Sequence, residues 1–329
     1  MLLEGDWAKD GYLVARQLFT AERVERLRAV AEGCHSQWRN ASAESGEPGE
    51  LAGGEECMRH LNHPGYFAPG TPGFAELMEA IADPRCLELV ETHCLGAPAL
   101  FRSTSLFVNP RTASREGPWH RDSQFLIPSE DLERGFLEQQ SANGLINAMG
   151  LQMQIALLPS DDIELVKGSH ARWDTPDEYA VRHADGGAHA TDPMPGAVRI
   201  SLQPGDAVLF NFNGFHRGRY HVDRPRQTLM FTYTGRDFPL FDYFGNQPWF
   251  LRADYLDGLS AGAREFFGRF VDAFGEQMKV HLDADGTETR FDQVQHDLGG
   301  GYATFAEQTM AHLEVLGVEA GALAALARL

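Results

Sequence analysis

Positive charge is what this chain has least of. Lysine occurs only at Lys9, Lys167 and Lys279, and 28 basic residues stand against 47 acidic ones, for a net charge of −19. A nucleic-acid surface needs a basic stripe, and so does an anionic membrane surface; neither partner is expected. An acidic surface of this kind reads first as a device for solubility rather than as a lure for a cationic substrate. Long apolar runs are missing too: none approaches the ~18 residues that cross a bilayer. Cysteine is scarce, and Cys34, Cys57, Cys86 and Cys94 include no C-x-x-C pair. That argues against a zinc finger or a disulfide framework and for reduced thiols in a cytoplasmic protein. The opening MLLEGDWAKDGYLV has no basic segment followed by a long apolar one, so no secretory signal is expected.

What is present is the material for a large core: 43% hydrophobic residues and 21 phenylalanines in 329 residues. Residues 11–19, GYLVARQLF, read as a strand. Thr20 then serves as N-cap for a helix in which Val24, Leu27, Ala31, Cys34 and Trp38 recur at helical spacing. Residues 40–56 form a polar, Gly-rich loop, Phe74 to Ile81 a second helix, and Asp83-Pro84 opens a third that Gly96 ends. From about residue 98 the pattern turns to short β-rich runs: 99–109, 150–158, 197–202, 206–212 and 226–234. The separators are too irregular for βαβ crossovers. Many short strands must hide their edges, which favours a barrel or jelly roll. Two long polar segments, 123–149 and 171–196, interrupt the strands and are the natural walls of a pocket. Beyond 250 the chain is helical again. The expected layout is a domain over 1–250 with N-terminal helices and a jelly-roll core. A helical extension over 251–329 then packs on the core or on a second subunit, which would make a homodimer through these helices.

The stretch GPWHRDSQF, 117–125, carries His120 and Asp122 two positions apart. Residues two apart in a strand point the same way, so the pair offers an imidazole and a carboxylate to one ion, while Arg121 points to the opposite face. Two ligands make a weak site. The best third is His216, which follows the Pro204-Gly205-Asp206 turn, a buried run and the Asn213-Gly214 turn. Two histidines and a carboxylate form the facial triad that leaves open positions on Fe(II) for oxygen and a chelating cosubstrate. Ten residues later, Arg226 starts a strand and shares a face with Thr228. A guanidinium inside a barrel needs a carboxylate, and the far end of 2-oxoglutarate would supply one. Arg217, Arg219 and Arg224 compete for that role, but their turn position points to the surface.

Together these motifs resemble the phytanoyl-CoA dioxygenase-like (PhyH) superfamily of Fe(II)/2-oxoglutarate-dependent oxygenases. The matches run in order over about residues 10–235: the GY-hydrophobic start, W-H-x-D at Trp119 to Asp122, IALLPSDDIELVKGSH, PGD followed by His216, and RPR at 224–226. The resemblance implies a double-stranded β-helix (jelly roll) with Fe(II) held by His120, Asp122 and His216. It also implies 2-oxoglutarate anchored by Arg226, and oxidation, most simply hydroxylation, of an unactivated C–H bond in a small metabolite, with O2 as the oxidant. A carboxylate at Asp122 favours this over halogenation, since related halogenases carry a small residue there. Cosubstrate contacts are expected from Thr228, Gln152 and Asn109, and substrate contacts from Gln124, Phe107, Trp119 and Gln154, with Ser123 and Phe125 close by. Departures are Ser160-Asp161-Asp162 for the usual Asn-Gly, Lys167 for a proline, and Gln152 where a threonine is frequent. His170 reads as a structural turn residue, and His183 and His189 as solvated. Two rivals stand beside this reading: a cupin-like metalloenzyme that needs no Arg226, and a non-catalytic binding or scaffold protein.

Overall fold

The computed structural model describes residues 1–45, 57–67, 73–109, 113–127, 129–183, 191–236 and 244–279. The strands are β1 (Leu2–Asp6), β2 (Tyr12–Arg16), β3 (Cys57–Arg59), β4 (Ala99–Val108), β5 (Arg115–Glu116) and β6 (Gly150–Ala156), followed by β7 (Ser160–Val166), β8 (Ala197–Leu202), β9 (Ala207–Phe210), β10 (His216–Tyr220) and β11 (Gln227–Gly235). The helices are α1 (Trp7–Asp10), α2 (Ala21–Ser45), α3 (Gly73–Ile81), α4 (Pro84–Glu88), α5 (Ser123–Leu126), α6 (Glu130–Ala142), α7 (Pro176–Arg182) and α8 (Ala261–Met278). A π-helical turn, Leu89–Leu95, continues α4 and stops at Gly96, whose φ of 67° a glycine adopts without strain.

The strands form two antiparallel sheets. The larger has the order β1-β2-β9-β6-β11-β4-β3 and the smaller β5-β10-β7-β8. The order jumps along the chain because, from β4 on, most successive strands cross between the sheets, which is the jelly-roll arrangement expected from the many short strands. Alternation on the larger sheet separates two environments. Leu151, Met153 and Ile155 of β6 join the main core with the helices, while Gln152 and Gln154 face the space between the sheets. Between the sheets, Val14, Ala156, Ile163, Leu165, Ile200 and Phe210 fill one end, and the other end stays hollow.

Helices cover the outer face of the larger sheet. In α2, Val24, Leu27, Ala31, Cys34 and Trp38 are buried, and Thr20 accepts from Arg23 N at 3.3 Å. The helix runs on to Ser45, well into the stretch expected as a polar loop; residues 46–56 lie outside the described residues. In α8, Phe267 and Phe270 meet Phe101 of β4 at centroid distances of 5.4 and 5.6 Å. Each phenylalanine so buried is worth about 1.5–3 kcal/mol, enough to seat this part of the extension on the core. The rest of the expected helical extension, from residue 280 on, lies outside the described residues.

The polar segments expected as loops prove partly helical. Residues 123–149 contain α5 and α6, and 171–196 contain α7. The signals are local: Ser129 caps α6 by accepting from Leu132 N, and Thr175 and Glu178 form a capping box around Pro176. The PGD turn is also explained. Gly205 has φ +91°, and a Cβ there would lie 2.4 Å from Phe19 O. Asp206 meanwhile accepts from Gln17 N and Arg16 at 2.9 Å and from Gln203 N at 3.0 Å. The four cysteines are buried free thiols. Among the described residues, no helix is long and apolar enough to cross a membrane.

Candidate metal centre and its cavity

The two histidines face each other across a single antiparallel bridge outside the regular ladders. His120 N donates to His216 O at 3.2 Å, His216 N donates back to His120 O at 3.0 Å, and the ring centroids are 4.3 Å apart. Asp122 reaches the same point by a different route from the strand alternation expected. Its backbone is already helical (φ −63°, ψ −26°), at the start of α5, and its N–H donates to Phe212 O at 2.9 Å. Arg121, between them, does point away.

The tautomers follow from the neighbours. His120 Nδ1 lies 2.8 Å from Pro118 O, and His216 Nδ1 lies 2.9 Å from Gly214 O. A carbonyl can only accept, so each Nδ1 carries the proton and each Nε2 turns a lone pair inward. Asp122 Oδ1 lies 3.7 Å from His120 Nε2 and 3.5 Å from His216 Nε2. Donors on one ion at roughly 2.0–2.2 Å cannot lie much more than about 4.4 Å apart, so the set fits a single metal. Among the described residues no other three His, Cys, Asp or Glu side chains converge in this way. Burial, reinforced by His216, pushes the His120 pKa down to about 4, so its ring is neutral and free to ligate. Burial alone would raise the Asp122 pKa; its polar neighbours His216 and His120, with the Arg102 guanidinium, hold it below its usual value.

The triad opens into a cavity of about 420 Å³ between the sheets. Arg226 lines it, 5% exposed, with its guanidinium 5.0 Å from the Phe107 ring and 5.2 Å from the Tyr220 ring. Its Nη1 donates to Arg219 O at 3.1 Å, and Asp162 lies 3.5 Å from Nε, an ion pair that Asp162 shares with Arg224. Part of the expected need for a carboxylate is thus met from within, yet Nε makes no hydrogen bond. Thr228, expected as a cosubstrate contact, is 1% exposed and absent from the cavity lining, and its hydroxyl also lacks a partner. An orphaned donor on a residue lining the cavity, as Arg226 Nε is, marks where a polar ligand belongs.

The other expected contacts divide. Phe107 and Gln154 line the cavity. Gln152 lines it too, but its Nε2 is committed to Asp122 Oδ2 at 2.6 Å. Asn109 is not at the cavity: its Nδ2 donates to His221 O at 2.5 Å and its Oδ1 accepts from Arg226 N, so it fixes the backbone of the arginine. Trp119 lies in a separate core with Val166, Met194 and Phe215, its Nε1 bonded to Asp192 O at 2.9 Å. Gln124 is likewise absent from the lining, where its neighbour Phe125 stands instead, 66% exposed and 5.5 Å from the His120 ring. Arg217 and Arg219, expected at the surface of a turn, belong to β10 and pair with Glu164 at 2.6 Å and Glu116 at 2.7 Å. Ser169 and His170 are buried in a turn, as expected, with Ser169 Oγ accepting from Phe215 N at 2.8 Å. His183 is exposed, as expected, and stacks on Tyr179 with centroids 4.0 Å apart, and His189 lies outside the described residues.

Three contributors escaped the sequence reading. Arg121 is fully buried and donates to Asn213 O at 2.7 Å, Arg172 O at 3.2 Å and Asp174 at 3.1 Å, tying the strand of His120 to the turn before His216. Arg59 and Arg102 line the cavity beside the triad. A lone arginine inside the apolar run ALFRSTSLFVN was a usable signal for Arg102; nothing in the sequence ties Arg59 to the site.

A jelly roll with two histidines and one carboxylate at its open end defines the class of mononuclear non-haem metal enzymes. Residues 7–226 match the phytanoyl-CoA dioxygenase (PhyH) family, and the chain belongs to it. Its class is therefore that of the Fe(II)/2-oxoglutarate-dependent oxygenases, with O2 as oxidant. No curated protein sequence matches the chain. Among solved structures, EctD from S. alaskensis with 2-oxoglutarate and 5-hydroxyectoine is 21% identical, with a TM-score of 0.50 over 78% of this chain and 84% of that one. AviO1 from Streptomyces viridochromogenes Tue57 is 18% identical, with a TM-score of 0.46 over 69% and 91%. The α-ketoglutarate-dependent epimerase SnoN from nogalamycin biosynthesis is 18% identical, with a TM-score of 0.45 over 70% and 78%. The likeness to EctD supports the fold.

Proposed function

We propose that this protein hydroxylates an unactivated C–H bond of a small-molecule metabolite. The observation that carries this is the pairing, in one cavity, of the His120–Asp122–His216 donor set with the Arg226 guanidinium. When bound, Fe(II) with 2-oxoglutarate and O2 supplies the oxidising chemistry; the protein supplies position. His120 and His216 present fixed Nε2 lone pairs. Asp122 fills a position that a halide would need, which favours hydroxylation over halogenation. Arg226 offers its free edge to the far carboxylate of 2-oxoglutarate, with the Thr228 hydroxyl on the same face of the strand. Phe107, Phe125 and Tyr220 wall the space and limit water. A metalloenzyme that dispensed with 2-oxoglutarate would have no use for a buried arginine at the cavity whose Nε makes no hydrogen bond.

Anaerobic addition of Fe(II) and 2-oxoglutarate should produce a weak visible charge-transfer band. It should vanish in His216→Ala and weaken in Arg226→Ala. Absence of the band, together with no succinate formed in air across a broad metabolite panel, would overturn the assignment.

A further inference from the structure

The described lining of the cavity holds more positive charge than a metal and its cosubstrate would use. Arg59 ends β3, at the edge of the larger sheet, in register with Ser105 of β4. Arg102 sits where β4 slips against β11: Thr232 pairs with Ser103 and Tyr233 with Phe101, so Arg102 has no opposite number. Such a bulge turns a side chain out of the regular alternation. Arg102 and Ser103 therefore both line the cavity, although neighbours in an unbroken strand face opposite ways. The two guanidiniums converge on one ring, Arg59 at 4.8 Å and Arg102 at 5.6 Å from the Phe244 centroid. Both are felt at the triad: the charge of Arg59 acts on His120 and that of Arg102 on Asp122.

The charges can be followed group by group. Among the described residues that line the cavity, Asp122 is the only carboxylate. A divalent iron would balance Asp122 and the chelating carboxylate of 2-oxoglutarate, and Arg226, already paired in part with Asp162, would take the far carboxylate. Arg59 then has no carboxylate partner among the described residues. A half-buried cation so placed is costly unless an anion joins it. The overall charge of −19 makes the contrast sharper, because the described lining carries Arg59, Arg102 and Arg226 against Asp122 alone.

We propose that Arg59 and Arg102 form an anion subsite, so that the substrate is a small organic anion with an apolar body. Its charged group sits at the two guanidiniums and its body lies against Phe125 and Phe244, which brings a C–H bond over the triad. Planar guanidiniums suit a carboxylate or phosphate, and a charge-assisted pair of this kind is about twice as strong as a neutral hydrogen bond. The proposal rests on the oxygenase reading above.

The test uses the full-length protein as its anaerobic Fe(II)·2-oxoglutarate complex, with 3-phenylpropanoate and its neutral amide as matched probes in calorimetric titrations. The acid should bind at least about tenfold more tightly than the amide, which corresponds to about 1.4 kcal/mol. Arg59→Gln and Arg102→Gln should each erase the preference, and Arg59→Lys should restore part of it. The charge-transfer band of the same samples reports the cosubstrate complex independently of the probes. If the band forms but the acid fails to bind, binds no better than the amide, or keeps its preference in either glutamine variant, the anion subsite is wrong and the oxygenase reading stands. If no band forms in the wild type, the oxygenase reading itself falls and the subsite falls with it.

Discussion

Gln152 Nε2 donates to Asp122 Oδ2 at 2.6 Å, while the other carboxylate oxygen, Oδ1, faces the Nε2 atoms of both histidines. One amide therefore assigns the two oxygens different tasks. A carboxylate free to rotate can offer a metal either oxygen or both; this one is held with a single oxygen inward. Gln152, expected as a cosubstrate contact, is thus tied to the carboxylate of the triad.

Removing that amide should loosen the metal. Ligands lose roughly 10- to 100-fold in metal affinity when an outer partner is deleted, and Gln152→Leu should weaken Fe(II) binding by that factor with the fold intact. Anaerobic titration with Fe(II), or with Co(II) read by its visible bands, measures it. An unchanged affinity would show that Asp122 holds its orientation without Gln152.

Most of the larger sheet was legible in the sequence, β1 and β3 excepted, whereas only β8 of the smaller one was, for a physical reason. Strands β4, β6, β9 and β11 are rich in apolar and β-branched residues because one face meets the helical core. Strands β7 and β10 read SDDIELV and HRGRY, and their charges hide the pattern. In the fold those charges answer one another across the ladder: Glu164 with Arg217 and Arg199, Glu116 with Arg219, Asp161 with Arg224. No single-strand pattern can show a partner fifty residues away. The site divides the same way. His120, Asp122, His216 and Arg226 are spaced as chemistry demands and could be found. Arg59 reaches the cavity only through sheet pairing, and Arg102 only through a bulge. Asn109 and Trp119 were misplaced because a strand end and an aromatic beside a motif carry no mark of which side they face.

Arg121 should prove structural and hard to replace. It is paired with Asp174, and both side chains are 0% exposed; burial pushes its pKa down to about 10. Breaking a buried pair leaves a lone charge and typically costs 3–5 kcal/mol. Arg121→Leu should lower unfolding stability by about that much in urea titrations. Arg121→Lys should rescue little, since an ammonium cannot span Asn213 O, Arg172 O and Asp174 together. Full rescue by lysine would show that charge alone is needed.

Arg226→Lys separates charge from shape at the other end of the cavity. Hydrogen bonds to charged groups are worth about 1.5–3 kcal/mol, and the lysine loses the planar fork. The half-saturating 2-oxoglutarate concentration should rise roughly 10- to 100-fold, with the maximal rate of succinate formation far less affected, because the contact holds the cosubstrate throughout the reaction. Asn109→Ala, which removes the acceptor fixing Arg226 N, should raise it in the same direction by less. An equal fall in maximal rate at saturating cosubstrate would place Arg226 nearer the reacting bond than this structure does.

Stability should fall as the medium is acidified from pH 6.5, before the carboxylates titrate. His170 is 1% exposed and packs against Gly11, where a Cβ would come within 2.5 Å of its Nδ1. Burial pushes its pKa down to about 4 and that of His60 to about 3. An unfolded histidine titrates near 6.5, so between these values the unfolded chain binds the extra proton and the folded one does not. The stabilisation is fully present above pH 6.5 and is lost as pH falls, at up to about 1.4 kcal/mol per pH unit for each group, until the folded pKa is reached. By pH 5 each contributes a loss of about 2 kcal/mol. His170→Gln cannot take up that proton, so its stability should change by about 2 kcal/mol less than the wild type between pH 7 and pH 5, whatever its stability at pH 7. His120 is similarly depressed, but it is common to both proteins and cancels in the difference. Parallel urea-midpoint curves for the two proteins across this range would show that His170 takes up its proton in the folded state as readily as in the unfolded chain.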